Sequence, residues 1–317
     1  MSFNVAGLTA YTEENAMMLI AEAVAQGKIS KYANLQDRVK TSTAINILET
    51  DVVFQADGCA RSASGTTTLT QRDIVPGAVA IHEDLCMTDL ASKYTSVMLK
   101  QGLTNEKEEI PFAELYFSHK IAHIQKAIEI ADWTGDIASG TANINKYDGL
   151  IKNIAGGGVD GNAGALLGAG VTITAANVIS VLTTMAASMD VDVMGADDLK
   201  LFVGADIFLL YQKGIADGNY FHYVVEGGQM DELPLVGFPN ITVVSTIGLN
   251  GLNSATHSPA YLIRASNIYV GVDLPEEESN DFRSWYDPND RIYKVTFAFR
   301  RGINVAFPAE TVRFLLT

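Results

Sequence analysis

The chain is poor in cysteine and in positive charge. Cys59 and Cys86 are its only cysteines, too few to staple the scaffold of a small secreted protein. Lysine and arginine total 22 against 37 aspartates and glutamates, for a net charge of −15. A protein that grips nucleic acid through its phosphates needs a basic face, so the balance argues against DNA binding as the main task. A long uninterrupted apolar run is also missing. The most apolar stretch, residues 161–187, is broken by Thr172, Thr174, Asn177 and Ser180, and reads as loop plus amphipathic helix rather than a membrane span. Residues 1–10 lack the basic region and apolar core of a signal peptide. The expectation is a soluble protein made in a cytoplasm.

Hydrophobic residues make up 48% of the 317 positions and charged residues 19%. That supports one large or two modest domains with real cores and excludes a disordered polyelectrolyte. A first helix is expected over residues 13–25, with Thr12 as cap, Glu13 and Glu14 at the positive end of its dipole, and Gly27 at its stop. Residues 41–79 change character. Thr, Ser, Val and Ile dominate, and turn signals stand at Asp57-Gly58 and Ser64-Gly65. A hairpin this polar cannot bury a face of its own, so it must project and lie on something else, its own body or a neighbour.

A long helix is expected over residues 111–133. Pro111 suits its first turn, Leu115, Ile121, Ile124, Ile128 and Ala131 form an apolar stripe, and Lys120, Gln125, Lys126 and Glu129 mark the polar side. Residues 136–170 are rich in Gly, Ala and Asn, with Tyr147 to Ile151 as their apolar anchor. Beyond lie a helix over 175–189 capped by Thr174, a strand over 199–203, a helix over 206–215, and strands over 222–225 and 241–247. Strands alternating with few helices imply a small mixed sheet. The end of the chain reads as strand and turn, with strands over 260–272, 291–300 and 311–316, and a turn at Arg300, Arg301 and Gly302.

Candidate chemistry is sparse. Gly156, Gly158 and Gly161 satisfy the G-x-G-x-x-G spacing. A dinucleotide site, however, needs a strand before the glycines and a helix opening on them. Residues 151–155 could be that strand, but no helix is expected before Ala175, so a flexible loop is the better reading. His119 and His123 have the i, i+4 spacing of half a zinc site, but Lys120 replaces the general-base Glu of a metalloprotease. They read as surface or interface histidines. Cys59 and Cys86 could face each other, although a cytoplasmic protein usually keeps thiols reduced. The acidic set Glu276, Glu277, Glu278, Asp281, Asp287 and Asp290 lacks the spacing and glycine of a calcium loop and reads as a solvated loop. Asp206 and Asp217 flank a helix, and spacing alone cannot make them a catalytic pair. No catalytic, cofactor-binding or metal-ligating residue is assigned, and no cofactor.

The order of segments carries more than any motif. Together with Val52-Val53-Phe54-Gln55, Asp148-Gly149-Leu150-Ile151 and Phe282-Arg283-Ser284-Trp285-Tyr286-Asp287, it resembles the major capsid proteins of tailed phages with the HK97-like fold, particularly those of the Bacteroides-infecting, crAss-related kind. The resemblance implies an α+β fold: an N-terminal arm over 1–30, an extended hairpin (the E-loop) over 31–80, a P domain over 81–153 and 253–317 with a long spine helix and an antiparallel sheet, and an A domain over 154–252. It implies a non-enzymatic subunit that assembles into hexamers and pentamers of an icosahedral, virion-located shell around double-stranded DNA. It further implies portal, scaffolding and cement proteins as partners, weak contact with DNA, and no membrane partner. No long coiled-coil region precedes the arm, as in members served by a separate scaffolding protein. The rivals are an encapsulin-like nanocompartment shell and, in another class, an α/β enzyme using the loop from Gly156 to Gly161.

Overall fold

A computed structural model describes residues 27–55, 64–86, 110–155, 159–160, 173–220, 231–252, 258–273, 282–290 and 292–314. The helix expected over 13–25, the strand over 222–225 and the acidic run 276–281 lie outside these residues.

The described chain opens with helix α1 (Lys28–Tyr32) and strand β1 (Asn34–Gln36), followed by the hairpin strands β2 (Thr43–Thr50) and β3 (Thr67–Ile74) and by β4 (Gly77–Cys86). The long helix α2 (Ile110–Thr134) comes next, and 25 residues at 1.5 Å each give it a length of roughly 37 Å. The short helix α3 (Leu150–Ile154) and strand β5 (Val159–Asp160) lead into α4 (Val178–Ala187), α5 (Val191–Met194), β6 (Leu199–Val203) and α6 (Ala205–Asp217). Strands β7 (Glu232–Leu235) and β8 (Phe238–Ser245), a 3-10 turn (Ile247–Leu249), and β9 (Ala260–Arg264) to β13 (Val312–Phe314) complete it, with β10 (Ile268–Asp273), β11 (Phe282–Asp287) and β12 (Ile292–Val305) between.

Two sheets result. The first is centred on β12, whose 14 residues carry β4 along one edge and both β10 and β11 along the other, with β1 parallel to β10 outside. The second has the order β5-β13-β9-β6-β8-β7. It is mixed: β6 pairs parallel with β8 and antiparallel with β9. Helices α4 and α6 cover it through Val178, Leu182, Met185, Ile207 and Tyr211.

The sequence over 260–272 reads as one strand but forms two. A 3-10 turn at Ala265–Asn267 breaks it, so that β9 joins the second sheet and β10 the first. Strand β13 also belongs to the second sheet, on β9. Conversely, β1 and the whole of β4 belong to the first sheet, not to the hairpin. Sheet membership is set by backbone pairing partners that have no local signature in the sequence. The turn expected at Arg300 to Gly302 is absent. Arg300 and Arg301 pair on both edges, with Ala78 and Gly77 on one side and Asp273 and Val272 on the other, and Gly302 pairs with Gly271.

The apolar stripe of α2 faces the core. Phe117, Ile121, Ile124, Ile128 and Ala131 pack with Tyr261, Ile263, Ile268, Val270, Val295 and Phe297. A helix this long depends on such tertiary packing more than on propensity. Ile124 is buried and Lys126 exposed. Ile124→Asp places an unpaired charge in this contact, at a cost of several kcal/mol, and should abolish soluble subunit in an expression and thermal-melt assay. Lys126→Ala should shift stability by less than about 0.5 kcal/mol. A soluble Ile124→Asp subunit with a normal melting temperature would overturn the core assignment.

Candidate functional site

The side of α2 expected to be polar is not uniformly so. Glu129 is buried: it accepts a hydrogen bond from Thr246 Oγ1 at 2.5 Å and another from the Ile247 backbone N–H at 3.1 Å. The 3-10 turn Ile247–Leu249 lies directly against the helix here, and a Cβ on Gly248 would run into Trp133 and the Glu129 carbonyl. Side-chain identity alone misreads Glu129, because its partners come from 117 positions further along the chain.

One turn on, Asp132 and Arg301 form a fully buried ion pair. Arg301 Nε donates to Asp132 Oδ1 at 2.8 Å and Nη2 to Oδ2 at 2.6 Å. Tyr147 OH donates to Asp132 Oδ1 at 2.8 Å, and Arg301 Nη2 also donates to Ser30 Oγ at 2.8 Å. Burial works against charge on Arg301, but the Asp132 carboxylate outweighs it and raises the guanidinium pKa further. Burial, reinforced by Asp132, holds the Tyr147 phenol well above its ordinary value. This is a bidentate, fully buried charge pair, a structural pin that ties the helix to the strand.

Beside the pin, an open groove of about 820 Å³ runs between α2 and β4. Its walls are apolar: Val79 and Ile81 from β4, Ile124, Ala127 and Ile128 from α2, and Phe299 from β12. His119, His123 and Lys146 lie along it. Glu83, also in the groove, accepts from Tyr116 OH at 2.8 Å and from Lys120. Burial opposes charge on Glu83, but those two donors outweigh it and hold the carboxyl below its usual range.

The other sequence candidates do not converge. Residues 151–154 are helix α3, so the strand that a dinucleotide loop requires is not there. Gly156, Gly157, Gly158 and Gly161 lie outside the described residues, while Val159 and Asp160 form β5 beside β13. The rings of His119 and His123 stand 4.7 Å apart on an exposed face. No cluster of three metal-ligating side chains occurs among the described residues. Cys86 is exposed at the end of β4, and Cys59 lies outside the described residues. Asp206 and Asp217 sit at opposite ends of α6, roughly 16 Å apart along its axis, and Asp206 accepts from the Ser258 backbone N–H. Asp287 and Asp290 are both held by Lys294, at 2.9 and 3.6 Å. Among the described residues no helix is long and apolar enough to cross a membrane.

No protein-family model matches the chain, and no curated protein does. Solved structures do match. The capsid of Myoviridae phage XM1 superposes with a TM-score of 0.57 at 14% identity, over 90% of each chain. The structure titled Gordonia phage Cozz gives 0.56 at 11% identity, over 92% of this chain and 87% of that one. The satellite phage P4 procapsid that includes the size determination (Sid) protein gives 0.53 at 9%, over 95% and 98%. The chain has the HK97-like capsid fold. The likeness extends over about nine-tenths of each chain.

Removing one partner of the Asp132–Arg301 pair leaves the other charge buried, which typically costs about 3–5 kcal/mol. Arg301→Met should therefore lower the denaturation midpoint sharply. Arg301→Lys should recover only part of the loss, because an ammonium cannot reproduce the two-pronged contact. The double change Arg301→Met with Asp132→Leu should be more stable than Arg301→Met alone. Equal stability of the two in chemical denaturation would show that the pair does not pin the fold.

Proposed function

We propose that this chain is the major capsid protein of a tailed bacteriophage, a structural subunit without enzymatic activity that assembles into hexamers and pentamers of an icosahedral, DNA-filled head. The observation that carries the proposal is the HK97-like fold matched end to end to phage capsid chains. The proposal covers the tailed-phage class and not specifically the crAss-related kind.

Features of the chain itself support it. The hairpin exposes Leu48, Leu69, Val52, Val53 and Phe54. Large apolar side chains exposed together mark contact surfaces. In this reading residues 1–30 form the N-terminal arm and the hairpin β2–β3 the E-loop. The first sheet with α2 forms the P domain, and the second sheet with α4 and α6 the A domain. Residence in the virion, and portal, scaffolding and cement proteins as partners, belong to the same proposal. An encapsulin-like shell is the alternative within the fold. The enzyme alternative loses its main support with the strand that α3 replaces.

Electron microscopy of the purified protein tests this directly. Closed shells with five- and six-fold capsomers are expected. Monodisperse single subunits under all assembly conditions would overturn it. In particles isolated from the natural source, packaged DNA is expected, and a cargo enzyme in its place would favour the nanocompartment.

A further inference from the structure

His119 and His123 are two of the chain's five histidines, and both are exposed one turn apart on α2. Among the described residues neither imidazole takes part in a hydrogen bond or an ion pair, and each ring's aromatic neighbour is the other. His82, by contrast, has a ring nitrogen 3.2 Å from Thr296 Oγ1. The fold therefore holds two unengaged imidazoles side by side in water.

Their geometry is that of a chelating pair. An imidazole nitrogen binds a first-row dication at about 2.1 Å, and the ring centre lies roughly 1.1 Å further along the same line. Two rings sharing one ion, at bond angles between square and tetrahedral, then stand roughly 4.5–5.2 Å apart, centre to centre. The observed separation is 4.7 Å. The ring planes are tilted by 52°, not stacked face to face, so their nitrogen edges are able to converge on one point. The helix supplies this arrangement without strain, because residues four apart lie one above the other on the same face. The charge nearby permits a dication. Lys120, next to His119, is paired with Glu83. Lys146 also lines the groove beside the pair, but the chain as a whole carries −15 and draws cations towards it.

We propose that His119 and His123 together bind one imidazole-seeking dication, Zn²⁺ or Cu²⁺, through one nitrogen each, with water completing its coordination. Mg²⁺ and Ca²⁺ require an oxygen cage and are not ligands of this pair. No cluster of three metal-ligating side chains occurs among the described residues, so the site is open and exchangeable, unlike a closed structural zinc centre. Its effect on the fold is local. The last turns of α2 are held by the hydrogen bonds of Glu129 and Asp132, whereas the turn from His119 to His123 has the Lys120–Glu83 pair and the apolar stripe. An ion bridging positions i and i+4 fixes that turn, because metal binding that requires the folded geometry adds to its stability. The inference does not depend on the shell reading.

The test uses the full chain in a Cys59→Ser, Cys86→Ser background, which removes the thiols as competing ligands. Equilibrium dialysis against Zn²⁺ should show a site that His119→Gln and His123→Gln each weaken by about tenfold or more, and that His82→Gln leaves unchanged. With equimolar Cu²⁺, the electron paramagnetic resonance spectrum should carry the splitting of two nitrogen ligands in the parent and lose it in either variant. Zn²⁺ should raise the parent's melting temperature and leave that of His119→Gln unmoved, while Mg²⁺ should move neither. Both positions are exposed, and each variant is informative alone, so one that melts normally without metal is enough. Equal Zn²⁺ affinity in the parent and in a folded variant would overturn the inference. So would a copper spectrum unchanged by either substitution, which would mean an adventitious ion only.

Discussion

The fold turns on one buried contact, the two-pronged pair of Arg301 and Asp132. It ties together pieces far apart in sequence: the C-terminal turn of the long helix, the middle of the central strand, the loop that carries Tyr147 and, through Ser30, the helix α1. A charge pair with no exposure is not a cheap source of stability, since desolvation offsets much of its attraction. Its consequence is specificity. Apolar packing of a helix on a sheet tolerates sliding by a turn, whereas a guanidinium that must meet both carboxylate oxygens, with a phenol and a hydroxyl completing the shell, fits one register.

A second polar contact fixes the other sheet to the same helix. Glu129, three residues before Asp132, receives Thr246 and the start of the 3-10 turn after β8. The two sheets are also continuous through the backbone, because the chain passes from β9 to β10 across Ala265–Asn267. Asn267 closes that crossing, donating from Nδ2 to the Phe307 carbonyl and accepting from the Phe307 N–H. One helix, buried on an apolar face and pinned by two carboxylates, thus sets the geometry between the sheets. Packed interfaces of this kind resist continuous deformation.

Much of this was legible from residue order. The stripe of α2, the strand Leu199–Val203 and the apolar anchor at Tyr147 and Leu150 stand where periodicity placed them, because each is decided by local burial pattern. Failures came where a distant partner decides. Arg300, Arg301 and Gly302 resemble a turn by composition, yet they lie within β12, where β10 pairs with all three and β4 with Arg300 and Arg301. Glu129 reads as a surface residue until Thr246 is placed beside it. Residues 260–272 look like one strand, and the break at Ala265–Asn267 is visible only in which sheet each half joins. The groove was barely legible, since β4 and α2 are brought together through β12. His119 and His123 were the one available signal: they are exposed on the helix and line the groove.

The charge distribution ties the architecture to the proposed task. Lys28, Lys31, Lys120, Lys152, Lys294, Arg264 and Arg301 all face carboxylates of the same chain. These seven of the 22 cations are therefore occupied within the subunit. With a net charge of −15, copies repel at long range. Screening limits that repulsion to about 10 Å at ordinary salt, so short-range apolar contacts decide association. An acidic excess of this size gives polyanions little purchase.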